Sequence, residues 1–64
     1  MKHYIKSYLW KHCIKFDVQM PKGTTKEILI VRPHHKEKLV KFLNSKNKLS
    51  HVEEKLDLVF LHLM

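Results

Sequence analysis

The chain has 64 residues, 44% of them hydrophobic, with thirteen Lys or Arg against six Asp or Glu and a net charge of +7. This length allows one small domain, residues 1–64, with a core contributing only about 3–5 kcal/mol, and the lone Cys13 excludes an internal disulfide. The longest apolar run, Leu58 to Leu61, is too short to span a membrane, and one Gly with two Pro in so apolar a chain excludes a disordered tail.

The first residues fit two patterns. Tyr4, Ile5, Tyr8, Leu9 and His12 have helical spacing, whereas Tyr4, Lys6, Tyr8 and Trp10 would extend a following strand. A strand from 4 to 20 would far exceed the usual length of about 5–6 residues. A short helix, or an irregular or bent segment, is therefore expected before about residue 10, with residues 1–8 a flexible end. From Trp10 to Met20, apolar and polar residues alternate, which predicts a strand with one buried face. Pro21-Lys22-Gly23-Thr24 predicts a turn, and Lys26–Arg32 a second strand whose continuous apolar run suits a central position. Pro33 ends that strand and suits a helix start. Leu39, Val40, Phe42 and Leu43 then form one stripe of an amphipathic helix over residues 34–46. Residues 49–64 carry both a helical and a strand pattern. Ser50-His51-Val52-Glu53 resembles a capping box, and Leu49, Val52, Leu56, Val59, Phe60 and Leu63 cluster within a ~100° arc, so a helix is favoured over a third strand.

The predicted fold class is α+β. An antiparallel hairpin (12–20 and 26–32) packs on one amphipathic helix, with a C-terminal helix or third strand completing a single core. Ile14, Phe16, Val18, Ile28 and Ile30 are expected to meet Leu39, Leu43, Leu56 and Phe60.

Charge is segregated along the chain. Residues 1–48 hold twelve basic residues against Asp17, Glu27 and Glu37, while residues 49–64 hold Lys55 against Glu53, Glu54 and Asp57. A basic body with a short acidic end points to a polyanion-binding surface. Only Arg32 among the basic residues is Arg, so backbone phosphate contacts rather than base readout are expected. The expected function is non-catalytic, sequence-tolerant binding of RNA or DNA, with a regulatory role. Lys6, Lys11, Lys15, Lys22, Arg32, Lys36, Lys38 and Lys41 are the expected phosphate contacts, and Tyr4 and Tyr8 the expected stacking groups. Trp10 belongs to the same aromatic–basic stretch but is assigned to the core.

The alternative is a protein-interaction module, an inhibitor or adaptor, with homodimerisation through residues 49–64 as one form of it. Leu58 and Leu61 fall outside the main helical stripe and are its expected contacts. A small ribonuclease using His34, His35 and Lys36 ranks lower, because no catalytic motif accompanies them. No CxxC, HxxxH or HExxH spacing occurs among the six histidines and one cysteine, so no metal or other cofactor is expected. Neither a small-molecule substrate nor a membrane partner is indicated. The single thiol, without a signal-peptide pattern, predicts a cytoplasmic location.

Overall fold

The computed structural model describes residues 1–64. The chain begins with helix α1 (His3–Lys11) and continues through β1 (Asp17–Gln19), β2 (Ile28–Val31), a single 3-10 turn (Pro33–His35), α2 (Lys36–Ser45), β3 (Leu49–Lys55) and β4 (Leu58–Leu63). All four strands are antiparallel, in the order β1-β2-β4-β3. The α+β class, the hairpin and the amphipathic helix follow the sequence pattern. No helix is long and apolar enough to cross a membrane.

Packing, more than local encoding, makes α1 a helix. Its N-cap is Lys2, which makes no side-chain cap, and its first turn holds no acid. Ile5 and Leu9 are buried on one face, and the helix closes with a Schellman motif. There the Cys13 N–H donates to the Trp10 carbonyl (3.1 Å) and the Ile14 N–H to the Leu9 carbonyl (2.9 Å). Cys13 takes a left-handed φ of 54°, and Ile14 drops into the core. Helix α2 ends the same way. The Asn47 N–H donates to the Asn44 carbonyl and the Lys48 N–H to the Leu43 carbonyl, both at 3.0 Å, with Asn47 at φ 55°.

Both helices lie on one face of the sheet. Leu29 and Val31 of β2 and Val59, Leu61 and Leu63 of β4 form one core with Ile5, Leu9, Ile14, Leu39 and Leu43. The alternate residues Ile28, Ile30, Leu58, Phe60 and His62 occupy the other face, which no element covers, and are half-buried there.

Three expectations are corrected. The first strand is only Asp17–Gln19, because α1 runs to Lys11 and its Schellman closure consumes Cys13 and Ile14. Of the two alternatives for the first residues, the short helix is the one observed, with Ile5 buried. The face of β2 that meets the helices is Leu29 and Val31, not Ile28 and Ile30. Residues 49–64 form a hairpin rather than a helix. Its two-residue turn carries Leu56 fully exposed at φ 54°, outside the core it was expected to join. The Pro21–Thr24 turn matches its pattern, with Gly23 at φ 83° and the Thr24 N–H donating to the Pro21 carbonyl.

The element order is αββ followed by αββ, and the strand order reads the same when the two units are exchanged. Their inner strands β2 and β4 pair antiparallel at the centre. Ile5, Tyr8, Leu9 and Cys13 of the first unit correspond in helical position to Leu39, Phe42, Leu43 and Asn47 of the second. The corresponding Tyr8 and Phe42 stack on each other, centroids 3.9 Å apart at 17°, where the two helices meet. The chain is a pseudo-twofold structure without a sequence repeat.

Candidate functional site

Five of the six carboxylates belong to strands or their loops: Asp17, Glu27, Glu53, Glu54 and Asp57. The helices hold only Glu37. Three basic residues have carboxylate partners: Arg32 with Asp57 (2.9 Å), Lys36 with Glu54 (3.1 Å) and Lys41 with Glu37 (3.8 Å). The other ten have none. Lys2, Lys6 and Lys11 on or beside α1, and Lys38 and Lys46 on or beside α2, are exposed and unpaired in the helical layer. Lys6, Lys11 and Lys38 of the expected set are thus unpaired on the helices, as is Lys46, whose Nζ lies 5.8 Å from the Tyr4 ring centroid. Lys36 and Arg32 are tied to carboxylates across the structure. Lys22 sits in the β1–β2 turn, away from the rest.

The expected stacking groups are partly occupied. Tyr8 is half-buried between Phe42 and His12, the latter centroid at 4.3 Å. Tyr4 meets Phe42 edge-on at 6.3 Å and keeps about a third of its surface exposed. Trp10, assigned to the core from sequence, is instead 66% exposed. It faces an open cleft of about 770 Å³ that also takes in Lys15, Phe16, Ile30, Arg32 and Leu58. This corrects the sequence reading: the free aromatic face at the end of α1 belongs to Trp10, and Lys15 lies beside it.

Of the two expected partner contacts, Leu58 is half-buried on the uncovered sheet face, whereas Leu61 is completely buried beneath the helices. In a strand, Leu58 and Leu61 point to opposite faces, so the pair cannot act together. His34 and His35 share the 3-10 turn with ring centroids 3.9 Å apart. Burial, then the neighbouring His34 and Lys38, holds His35 below its ordinary value of 6.5.

A second cluster was not visible in the sequence. On the uncovered face His51 and His62 are cross-strand partners, with rings stacked at 3.9 Å and 16°. Glu53, two residues along β3, shares that face. Its carboxylate lies 2.6 Å from His62 Nε2 and 3.9 Å from His51 Nε2. One donor atom from each residue lies within 4.8 Å of the others, a set able to hold a metal ion. The signal was His51-x-Glu53, a spacing that shares a face only in a strand, and a helical reading of 49–64 conceals it.

No protein-family model, curated protein or solved structure matches this chain.

Proposed function

We propose that this chain is a small nucleic-acid-binding protein that grips the phosphate backbone without catalysing a reaction, in a regulatory role. The observation that carries the proposal is the helical layer: Lys6, Lys11, Lys38 and Lys46 stand there without carboxylate partners, and Glu37 is its only acid. A surface of that kind attracts polyanions by counterion release. Lys supplies point charges rather than the bidentate fork that reads guanine, and the one Arg is bound to Asp57, so binding tolerates any sequence. Trp10 provides the stacking face, with Lys15 beside it, which favours single-stranded segments.

Anisotropy of labelled RNA and DNA oligomers over a salt series tests the proposal. Log affinity should fall against log salt by about 0.7–0.9 per phosphate neutralised. Trp10 is the only tryptophan, so its fluorescence should quench as bases stack on it. No binding at about 50 mM salt overturns the proposal.

A second reading rests on the uncovered sheet face, where Ile28, Ile30, Leu58 and Phe60 keep partial exposure. It is self-association through that face, to which the hairpin of residues 49–64 contributes Leu58 and Phe60. Apolar burial is not screened by salt, so a dimer of this kind persists in sedimentation at about 0.5 M salt. A monomer under those conditions removes it.

A further inference from the structure

We propose that His51, Glu53 and His62 bind a divalent transition-metal ion of the zinc class, leaving at least one coordination position to water or a small anion. This goes beyond nucleic-acid binding and uses the opposite face of the sheet from the cationic helices.

Backbone pairing creates the site. Direct cross-strand neighbours in an antiparallel ladder have Cβ atoms about 4.5–5.5 Å apart, so the 51–62 pair brings two imidazoles together without any loop. Residue 53 follows on the same face, diagonal to His62. Four-coordinate zinc holds N and O donors at about 2.0–2.2 Å, which places neighbouring donors about 3.4 Å apart. The observed Glu53–His62 and Glu53–His51 separations, 2.6 and 3.9 Å, straddle that spacing within a donor set no more than 4.8 Å across, so turning the two stacked rings out of parallel brings the donors round one ion. Two imidazoles and one carboxylate favour zinc, cobalt or copper over magnesium or calcium, which take oxygen donors.

The surroundings suit a bound cation with an accessible side. Phe60 lies opposite Glu53, and Ile28 lies opposite His62 on the other flank, so the cluster has apolar neighbours on its sheet face. His51 and His62 also border a cleft of about 200 Å³ with Pro21, Thr24, Lys26 and Ile28. A water completing the coordination sphere has room there, and the cleft also holds Lys26 and Glu27, one charge of each sign.

The test is a Zn²⁺ titration of the full chain against a chromophoric chelator, without nucleic acid, so that it is independent of oligomer binding. One equivalent of Zn²⁺ should bind, and Mg²⁺ should not compete. His62→Gln and Glu53→Gln should each weaken binding by at least about tenfold. Cys13→Ser and His34→Gln/His35→Gln, which remove the chain's only thiol and the other histidine pair, should leave it within about twofold. Co²⁺ should give visible d–d absorption in the wild type and lose it in His51→Gln/His62→Gln. The proposal is overturned if the wild type binds no stoichiometric Zn²⁺. It is equally overturned if the His51→Gln/His62→Gln chain, shown folded by circular dichroism, binds as the wild type does, or if binding is lost in the His34/His35 variant.

Discussion

The two αββ units share a topology but divide the work unequally. The first, residues 1–32, has seven basic residues against Asp17 and Glu27, a three-residue outer strand and an eight-residue connection between its strands. The second, residues 33–64, has six against four acids, a seven-residue outer strand and a two-residue turn. In both units the inner strand alone supplies buried residues, Leu29 and Val31 from β2 and Val59, Leu61 and Leu63 from β4, while the outer strands β1 and β3 supply none. The histidine–carboxylate cluster belongs to the β3–β4 hairpin alone. The same arrangement of elements can therefore share one core equally, five buried residues from each unit, while the larger net positive charge falls in the first unit and the histidine–carboxylate cluster in the second.

The largest expected contrast is between truncating an inner-strand side chain and an outer-strand one. Leu61→Ala should cost about 2–5 kcal/mol, close to the whole stability of a chain this size, and urea denaturation should show little folded protein. Val18→Ala in β1, already 40% exposed, should cost less than about 1 kcal/mol by the same measurement. Comparable losses would show that the outer strand β1 carries as much of the stability as the inner strand β4.

Next in size is the binding surface. If both helices form one cationic layer, Lys6→Gln in α1 and Lys38→Gln in α2 should each lower the magnitude of the salt slope by about 0.7–0.9. Lys55→Gln, on the uncovered sheet face, should leave it unchanged. An effect confined to one helix would assign binding to one unit.

The two Schellman closures offer a smaller contrast. Cys13 and Asn47 both hold left-handed φ values, but Asn tolerates that conformation and Cys does not. Cys13→Gly should stabilise by about 1 kcal/mol, whereas Asn47→Gly should change stability by only a few tenths of that, both read from urea midpoints.

The smallest effect is a pH dependence confined to the second unit. His35 is held below 6.5 by burial, His34 and Lys38, so the unfolded chain takes up this proton first as pH falls. The stability linked to its neutral ring is complete above 6.5 and is lost as pH falls through the lower folded value. His35→Gln should flatten the urea midpoint between about pH 7 and pH 5 relative to the wild type.

The middle of the chain was legible in sequence because its signals are local and consistent. A continuous apolar strand, Pro33 and the Leu39–Leu43 stripe gave β2 and α2 to within a few residues, and Gly23 marked its turn. The last sixteen residues were not. Leu58 and Phe60 are apolar on the uncovered face, so β4 has hydrophobic residues on both sides and its alternation is masked. Ser50, read as a helix cap, sits at an irregularity where the β3–β4 register shifts. The turn at Leu56-Asp57 contains no Gly, Pro or Asn to announce it. Once the hairpin is read as a helix, His51, Glu53 and His62 scatter, and Leu61 seems available to a partner. The charge segregation was legible; which lysines escape pairing was not, because Lys36–Glu54 and Arg32–Asp57 join residues far apart in sequence.

The pairing of β2 with β4 has a consequence for how the molecule assembles. Within a single chain the two units are linked by one short connection through Arg32 and the Pro33–His35 turn. If the central seam opens while each outer hairpin persists, two chains can trade units and re-form every interface except that hinge. In that case refolding at high concentration should give an intertwined dimer with the monomer's own contacts, which size-exclusion chromatography would separate from the monomer.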